Sequence, residues 1–190
     1  MNHLVKRIFD IVLALFASAL LLLPFALVML AVRLTSKGPI FYWSDRVGVN
    51  NRIFKMPKFR TMKINTPAVA THLLENPAQF LTPIGSFLRK SSLDELPQLW
   101  SIFKGDMRFV GPRPALFNQD DLIVLRTQAG VHRLLPGLTG WAQINGRDEL
   151  PIPDKVLLDI EYMQRQNLWF DCKILWMTVA HVLAAKHVQH

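Results

Sequence analysis

The sequence predicts an α+β fold, mostly helical, with a short β-hairpin and an N-terminal helix that inserts into a membrane. Three observations carry this. No residue from Ile11 to Val32 is charged, and Ser18 supplies the only hydroxyl there. Strand formers on either side of a turn follow the Gly38-Pro39 break. Most of the remaining chain carries helix signals and closes on an aromatic-rich stretch from Leu168 to Val188.

At 190 residues the chain is long enough for one domain with a core. Hydrophobic residues make up 51%, mean hydropathy is +0.21, and the excess is concentrated before Arg33. Lys and Arg number 22 against 14 Asp and Glu, giving a net charge of +8. Such a surface must face something anionic: nucleic acid, acidic lipid or a phosphorylated substrate. Cys172 is the only cysteine, which excludes a disulfide framework and a Cys-based zinc site. Its apolar, aromatic neighbours predict a buried thiol.

The apolar run from Ile11 to Val32 would extend about 33 Å as a helix, enough to cross a bilayer core. It is too long for a signal peptide, and no small-x-small cleavage site follows it. Pro24 removes the hydrogen bond to the Leu20 carbonyl and predicts a kink. Lys6 and Arg7 precede the run, and Arg33 and Lys37 follow it. Positive flanks at both ends fit a helix that bends at Pro24 and returns to the face it entered. An ordinary kinked transmembrane anchor is the alternative. The chain thus divides into a membrane helix, 1–36, and a second domain, 37–190, joined as one continuous structural unit.

Ile40 to Trp43 reads as a strand, Asp45 to Asn51 as a turn, and Arg52 to Met56 as the returning strand. Lys58 to Met62 continues extended after Pro57, and its alternation puts Lys58 and Arg60 on one face. Thr66 to Pro77 reads as a loop with a short helix. Thr82 is the expected cap of a helix through Lys90, with Pro83 at its first position. Leu96 to Lys104 is amphipathic and stops at Gly105. Ala115 to Gln128 reads as a helix with Asp120 and Asp121 in its middle. Turn residues and strand formers run from Pro136 to Arg147, followed by helices over Asp154 to Arg165 and Leu168 to Val188. Tryptophan at the density of the last segment, with Trp169 and Trp176, suits either an interfacial helix or a core helix.

Ser92-x-x-Glu95 fits a capping box, which places Asp94 and Glu95 in the first helical turn. Pro97 offers another start, with the two carboxylates in the turn before it. Both readings put them at the positive end of a helix dipole, which favours ionisation. An ionised carboxylate can ligate Mg²⁺ or attack phosphorus; the plainer alternative is that both residues cap a surface helix. Arg113 lies between Pro112 and Pro114, so its backbone is held extended and its fork of donors is aimed. Lys58, Arg60, Arg89 and Arg147 are candidates to converge on a diphosphate, against the alternative of solvated surface charges. The six histidines show no metal-ligand spacing, and there is no glycine-rich phosphate loop. A nucleic-acid module fits the charge but not the acidic pair and the membrane segment.

These residues carry a resemblance. Lys6-Arg7 with Asp10, Gly38-Pro39-Ile40-Phe41, Lys58-Phe59-Arg60-Thr61-Met62 and Ser92-Leu93-Asp94-Glu95-Leu96-Pro97-Gln98 resemble the bacterial sugar transferase family. So do Lys104-Gly105-Asp106-Met107, Val110-Gly111-Pro112-Arg113-Pro114, Pro136-Gly137-Leu138-Thr139-Gly140-Trp141 and Asn145-Gly146-Arg147. The resemblance is to the small monotopic phosphoglycosyl transferases, in one order along nearly the whole chain.

The resemblance implies transfer of a sugar-1-phosphate from a UDP-sugar to undecaprenyl phosphate, releasing UMP, with Mg²⁺ as cofactor. It implies ping-pong chemistry: Asp94 attacks the β-phosphate, and the lipid phosphate attacks the resulting phosphosugar-enzyme. Glu95 would be the dyad partner and, with Asp94, a metal ligand. Lys58, Arg89, Arg113 and Asp159 match polar active-site positions, with Arg147 as a further substrate contact beside the candidate Arg60. A re-entrant helix broken at Pro24 is implied, at the cytoplasmic face of the bacterial inner membrane. Partners would be the phospholipid bilayer and downstream glycosyltransferases, not nucleic acid. The expected sugar is an N-acetylated hexosamine, including diacetamido forms, ahead of glucose or galactose.

Leu23 stands where the family has a serine before the break, and Val131 and Leu135 replace basic or polar residues. These departures bear on sugar or nucleotide contacts. Two other functions fit the residues: a membrane-tethered basic protein that binds anionic lipid or nucleic acid, and a hydrolase using water as acceptor. The first predicts no UMP release, and the second predicts turnover without lipid phosphate.

Overall fold

The computed structural model describes residues 3–67, 76–146 and 150–185. The fold is helical around two small sheets. Helix α1 spans His3–Thr35 and remains helical through Pro24. Its 33 residues reach about 50 Å. The buried positions Lys6, Asp10, Ala14, Val28 and Val32 recur at helical spacing and form one stripe. Ala14 packs in a core with Met56, Ile102, Met107 and Tyr162. Val28 and Val32 pack in a second cluster with Phe59 and Leu88. The other face exposes Leu15, Phe16, Leu20, Leu23, Leu27 and Leu30. Both ends of α1 therefore rest on the same protein body.

Lys6 and Arg7, expected as membrane flanks, are tied to the protein: Lys6 is buried and Arg7 is half-buried. The Lys6 ammonium meets Asp171 at 2.7 Å and Tyr162 Oη at 2.8 Å. Arg7 donates to the carbonyls of Ile102 and Phe103 at 2.6 and 2.7 Å. These carbonyls close a short helix whose C-terminal end favours a cation.

Strands β1 (Phe41–Val47) and β2 (Ile53–Phe59) form an antiparallel hairpin, pairing Phe41 with Phe59 and Val47 with Ile53. The strand thus continues through Asp45–Val47, where a turn was expected. Arg46 anchors that extension by donating to Ser44 Oγ and to the Pro114 carbonyl. The reversal is a 3-10 turn over Val49–Asn51. Pro57 is accommodated because a two-stranded sheet leaves it on an edge.

Helix α2 begins at Gly85 and ends at Lys90. Thr82 does not cap it: its amide and hydroxyl both donate to the Thr61 carbonyl. A side chain at Gly85 would come within 2.2 Å of that same carbonyl, so the helix start packs directly on the chain beyond β2. The capping box at Ser92 does not form either. Ser92 is left-handed (φ 57°) and its hydroxyl caps nothing, whereas an N-cap needs extended backbone. A 3-10 helix over Leu93–Gln98, with Pro97 inside it, leads into α3 (Leu99–Lys104).

Strands β3 (Arg108–Val110) and β4 (Gly137–Thr139) pair in parallel. Between them α4 spans Asp120–Gln128, so Asp120 and Asp121 lie in its first turn. Residues 115–119 are not helical because Ala115 accepts from the Val47 amide and Leu116 bridges to Arg46. Trp141–Ile144 forms a helical turn, α5, where the residue types predict turns and strand. Helices α6 (Ile152–Arg165) and α7 (Leu168–Ala185) complete the chain. α7 turns Phe170, Asp171 and Ile174 inward and leaves Trp169 and Trp176 82% and 75% exposed. Cys172 lies on the outer face and is exposed, not buried as expected.

Candidate active site

Three segments meet at the carboxylate pair. β2 supplies Lys58 near its end. The left-handed Ser92 turns the chain sharply into the 3-10 helix that carries Asp94 and Glu95. The Pro112-Arg113-Pro114 segment lies alongside. Lys58 Nζ stands 2.8 Å from Glu95 Oε1, and Arg113 Nη2 reaches the same oxygen at 2.9 Å. Two cations therefore fix one carboxylate oxygen.

Its neighbour is held differently. Asp94 is 7% exposed, and among the described residues its carboxylate accepts no hydrogen bond. Burial pushes the Asp94 carboxyl above the usual carboxylate range; Lys58 opposes the shift and the Glu95 charge adds to it, while Arg89 and Arg113 also oppose it. Burial pushes Glu95 up as well, but Arg113 and Lys58 outweigh it and hold that carboxyl well below the usual range. Burial lowers the Lys58 ammonium, against the attraction of Glu95. Adjacent carboxylates are thus driven apart, the pattern by which two acids take different tasks.

Arg89 lies in the last turn of α2, donating from Nε to Thr61 Oγ1 at 3.0 Å and from Nη2 to Met62 Sδ at 3.2 Å. Its charge acts on Asp94. Arg60 does not join the group, despite its alternation with Lys58. It is buried, forms no ion pair among the described residues, and packs its Nη1 against Gly38. Gly38 itself has φ +103°, and a side chain there would lie 2.5 Å from that Nη1. Arg147 lies outside the described residues.

Asp159 does not reach the carboxylate pair. It is 1% exposed on α6 and accepts from Arg126 Nη2 at 2.7 Å and Nε at 2.9 Å. Arg126 Nη1 then donates to the Arg113 carbonyl at 2.7 Å. Other carbonyls of this segment are also held: Pro112 by the Gly137 amide, Pro114 by Arg46, and Val110 by Lys6 and Tyr162. A side chain at Gly137 would come 2.1 Å from the Gly111 amide, so this close approach needs glycine. Sequence reasoning missed Arg126. A signal for Arg126 was present: Asp159 sits between Val156 and Tyr162 on the inner face of α6, where a carboxylate requires a cation.

The donor set fits a magnesium ion held with substrate, not a protein cage. Among the described residues there is no cluster of three or more His, Cys, Asp or Glu. Mg²⁺ commonly takes one or two carboxylates and completes its shell with phosphate and water. The uncommitted Asp94 oxygens and Glu95 Oε2 meet that need.

A family model described as bacterial sugar transferase matches residues 1–185. The chain belongs to the bacterial sugar transferase family. The chain is 39% identical over 186 residues to the UDP-glucose:undecaprenyl-phosphate glucose-1-phosphate transferase of Escherichia coli K12, covering 94% of this chain and 40% of that protein. It is 37% identical over 205 residues to the undecaprenyl-phosphate glucose phosphotransferase of Komagataeibacter xylinus, covering 98% and 37%. Against the sugar transferase EpsL of Bacillus subtilis it is 38% identical over 186 residues, covering 98% and 91%. The chain therefore spans less than half of the first two relatives and nearly all of the third.

Proposed function

We propose that this protein transfers a sugar-1-phosphate from a UDP-sugar to undecaprenyl phosphate, with release of UMP. One observation carries the reading: a buried, uncommitted Asp94 beside a Glu95 fixed by Lys58 and Arg113, in a chain of this family. In the first half-reaction an Asp94 oxygen attacks the β-phosphorus. The Oδ–P bond forms as the bond from phosphorus to the bridging oxygen breaks, and that oxygen leaves with UMP. In the second, an oxygen of the lipid phosphate attacks the same phosphorus and the Oδ–P bond breaks. The product is a lipid diphosphate sugar, and the Asp94 carboxylate is restored.

Arg113 and Lys58 orient Glu95 and offset the repulsion between a carboxylate and an anionic diphosphate. Arg89 favours ionised Asp94. A divalent cation, Mg²⁺ in this reading, would be held by Asp94 and Glu95 and would neutralise diphosphate charge.

The site works at a membrane because α1 lies on the bilayer side of the body and re-enters on the face it left. Support comes from Lys6, Ala14, Val28 and Val32, which pack both ends of α1 on one domain while its far face stays apolar and exposed. This reading places the domain on the cytoplasmic face of the inner membrane, where nucleotide sugars are found. The exposed Trp169 and Trp176 suit the interface.

Two relatives carry glucose in their names, which puts glucose ahead of the N-acetylated hexosamine expected from the sequence. The test is UMP release across a panel of UDP-sugars, with and without undecaprenyl phosphate and Mg²⁺. Lipid-dependent turnover with one sugar is expected. Release that continues over many turnovers without the lipid would favour a hydrolase, and no release with any sugar would refute the proposal.

A further inference from the structure

We propose that Arg126 is a positioning residue of the transfer site, holding Arg113 in register with Glu95 while it is itself seated on Asp159. The proposal rests on the transfer reading given above. Arg113 needs such support. Its side chain is 35% exposed, and its Nη2 lies 2.9 Å from Glu95 Oε1. The flanking prolines stiffen the segment, and their carbonyls are held by the Gly137 amide and by Arg46, which leaves the Arg113 carbonyl between them to be seated by Arg126.

The Arg126 guanidinium supplies that reference. Nε and Nη2 both bond Asp159 Oδ2, at 2.9 and 2.7 Å, and Nη1 bonds the Arg113 carbonyl at 2.7 Å. A planar fork that meets both partners at once fixes the distance between α6 and the Arg113 backbone. Asp159 is sealed from water, and Arg126 is 11% exposed, so neither partner can turn to solvent. The route runs from Asp159 through Arg126 to the Arg113 backbone, and from the Arg113 side chain to Glu95. This also gives Asp159 a place in the site that needs no contact with substrate.

A purely structural Arg126 would stabilise the fold without regard to Arg113, so the test is a double-mutant cycle on kcat/KM for the UDP-sugar. The protein is assayed in nanodiscs with its lipid acceptor. We expect Arg126→Ala to lower kcat/KM about 10- to 100-fold in the native background. In an Arg113→Ala background it should add less than about twofold. Arg126→Lys keeps a cation on Asp159 but loses the fork. It should show the same dependence on Arg113, and it carries the cycle if the alanine variant does not accumulate. Equal losses in both backgrounds, no loss in either, or full activity in Arg126→Lys would overturn the proposal. The native protein and Asp94→Asn run in the same assay: if the native protein releases no UMP, the transfer reading itself fails, and the cycle is not what failed.

Discussion

Lys58 Nζ and Glu95 Oε1 lie 2.8 Å apart, tying the end of the hairpin to the turn that carries the carboxylate pair. Both side chains are largely shielded, at 15% and 18% exposure. Lys58→Met leaves Glu95 with Arg113 alone, and it should cost about 2 kcal/mol of stability. Replacing both partners, as Lys58→Met with Glu95→Gln, should cost less than the sum of the single changes. Denaturation in nanodiscs measures this, and strictly additive losses would contradict the pairing.

Asp94→Asn should abolish transfer, with a loss of about a thousandfold or more. Stability should move the other way. The folded carboxyl is raised, so at neutral pH its charged form weighs against folding, and the amide removes that cost. The variant should be at least as stable as the native protein at pH 7, and this advantage should fade as pH falls and the native carboxyl takes up a proton. A marked loss of stability at pH 7 would contradict the uncommitted state of Asp94.

The proposed attack by Asp94 requires its ionised form, so kcat/KM should fall on the acid side as that carboxyl protonates. Arg89 is one of the cations that favour ionisation. Arg89→Ala should therefore move the acid limb of the pH profile to higher pH. An unmoved limb, or one displaced to lower pH, would separate Arg89 from Asp94.

Lys6 and Asp171 form an ion pair with 1% and 2% exposure, joining α1 to α7. Lys6→Met strands a buried carboxylate and should cost about 3–5 kcal/mol. Adding Asp171→Leu should recover much of that loss. Thermal denaturation checks both, and a neutral single variant would show that α1 is not anchored there.

If α1 re-enters, both of its ends face one side. Leu4 and Leu34 are 66% and 75% exposed and lie near its two ends. In a Cys172→Ser background, Leu4→Cys and Leu34→Cys should both react with an impermeant maleimide from the cytoplasmic side. Labelling of the two from opposite sides would establish a transmembrane helix.

Local pattern was legible where one segment determines the outcome. The apolar run, the hairpin and the helices over α3 and α6 follow from residue type and period. What escaped was set by partners distant in sequence. Thr82 and Ser92 have cap chemistry, but Thr82 is committed to Thr61 and Ser92 takes a left-handed turn. Residues 115–119 pair with the β1 edge in place of starting a helix. In the site, Lys58 and Arg113 both pair with Glu95, beside Asp94, where the sequence offered them as separate candidates for a diphosphate. Arg60 alternates correctly with Lys58 yet turns to Gly38, and Arg126 shows its use only once α4 and α6 are packed.

The most direct test of the account is the mass of the peptide that contains Asp94. The protein is incubated with its UDP-sugar and Mg²⁺ in the absence of lipid acceptor, quenched and digested. The account predicts one added phosphosugar on that peptide, matched by released UMP and lost in Asp94→Asn. An unmodified peptide, under conditions where adding undecaprenyl phosphate yields product, would contradict it.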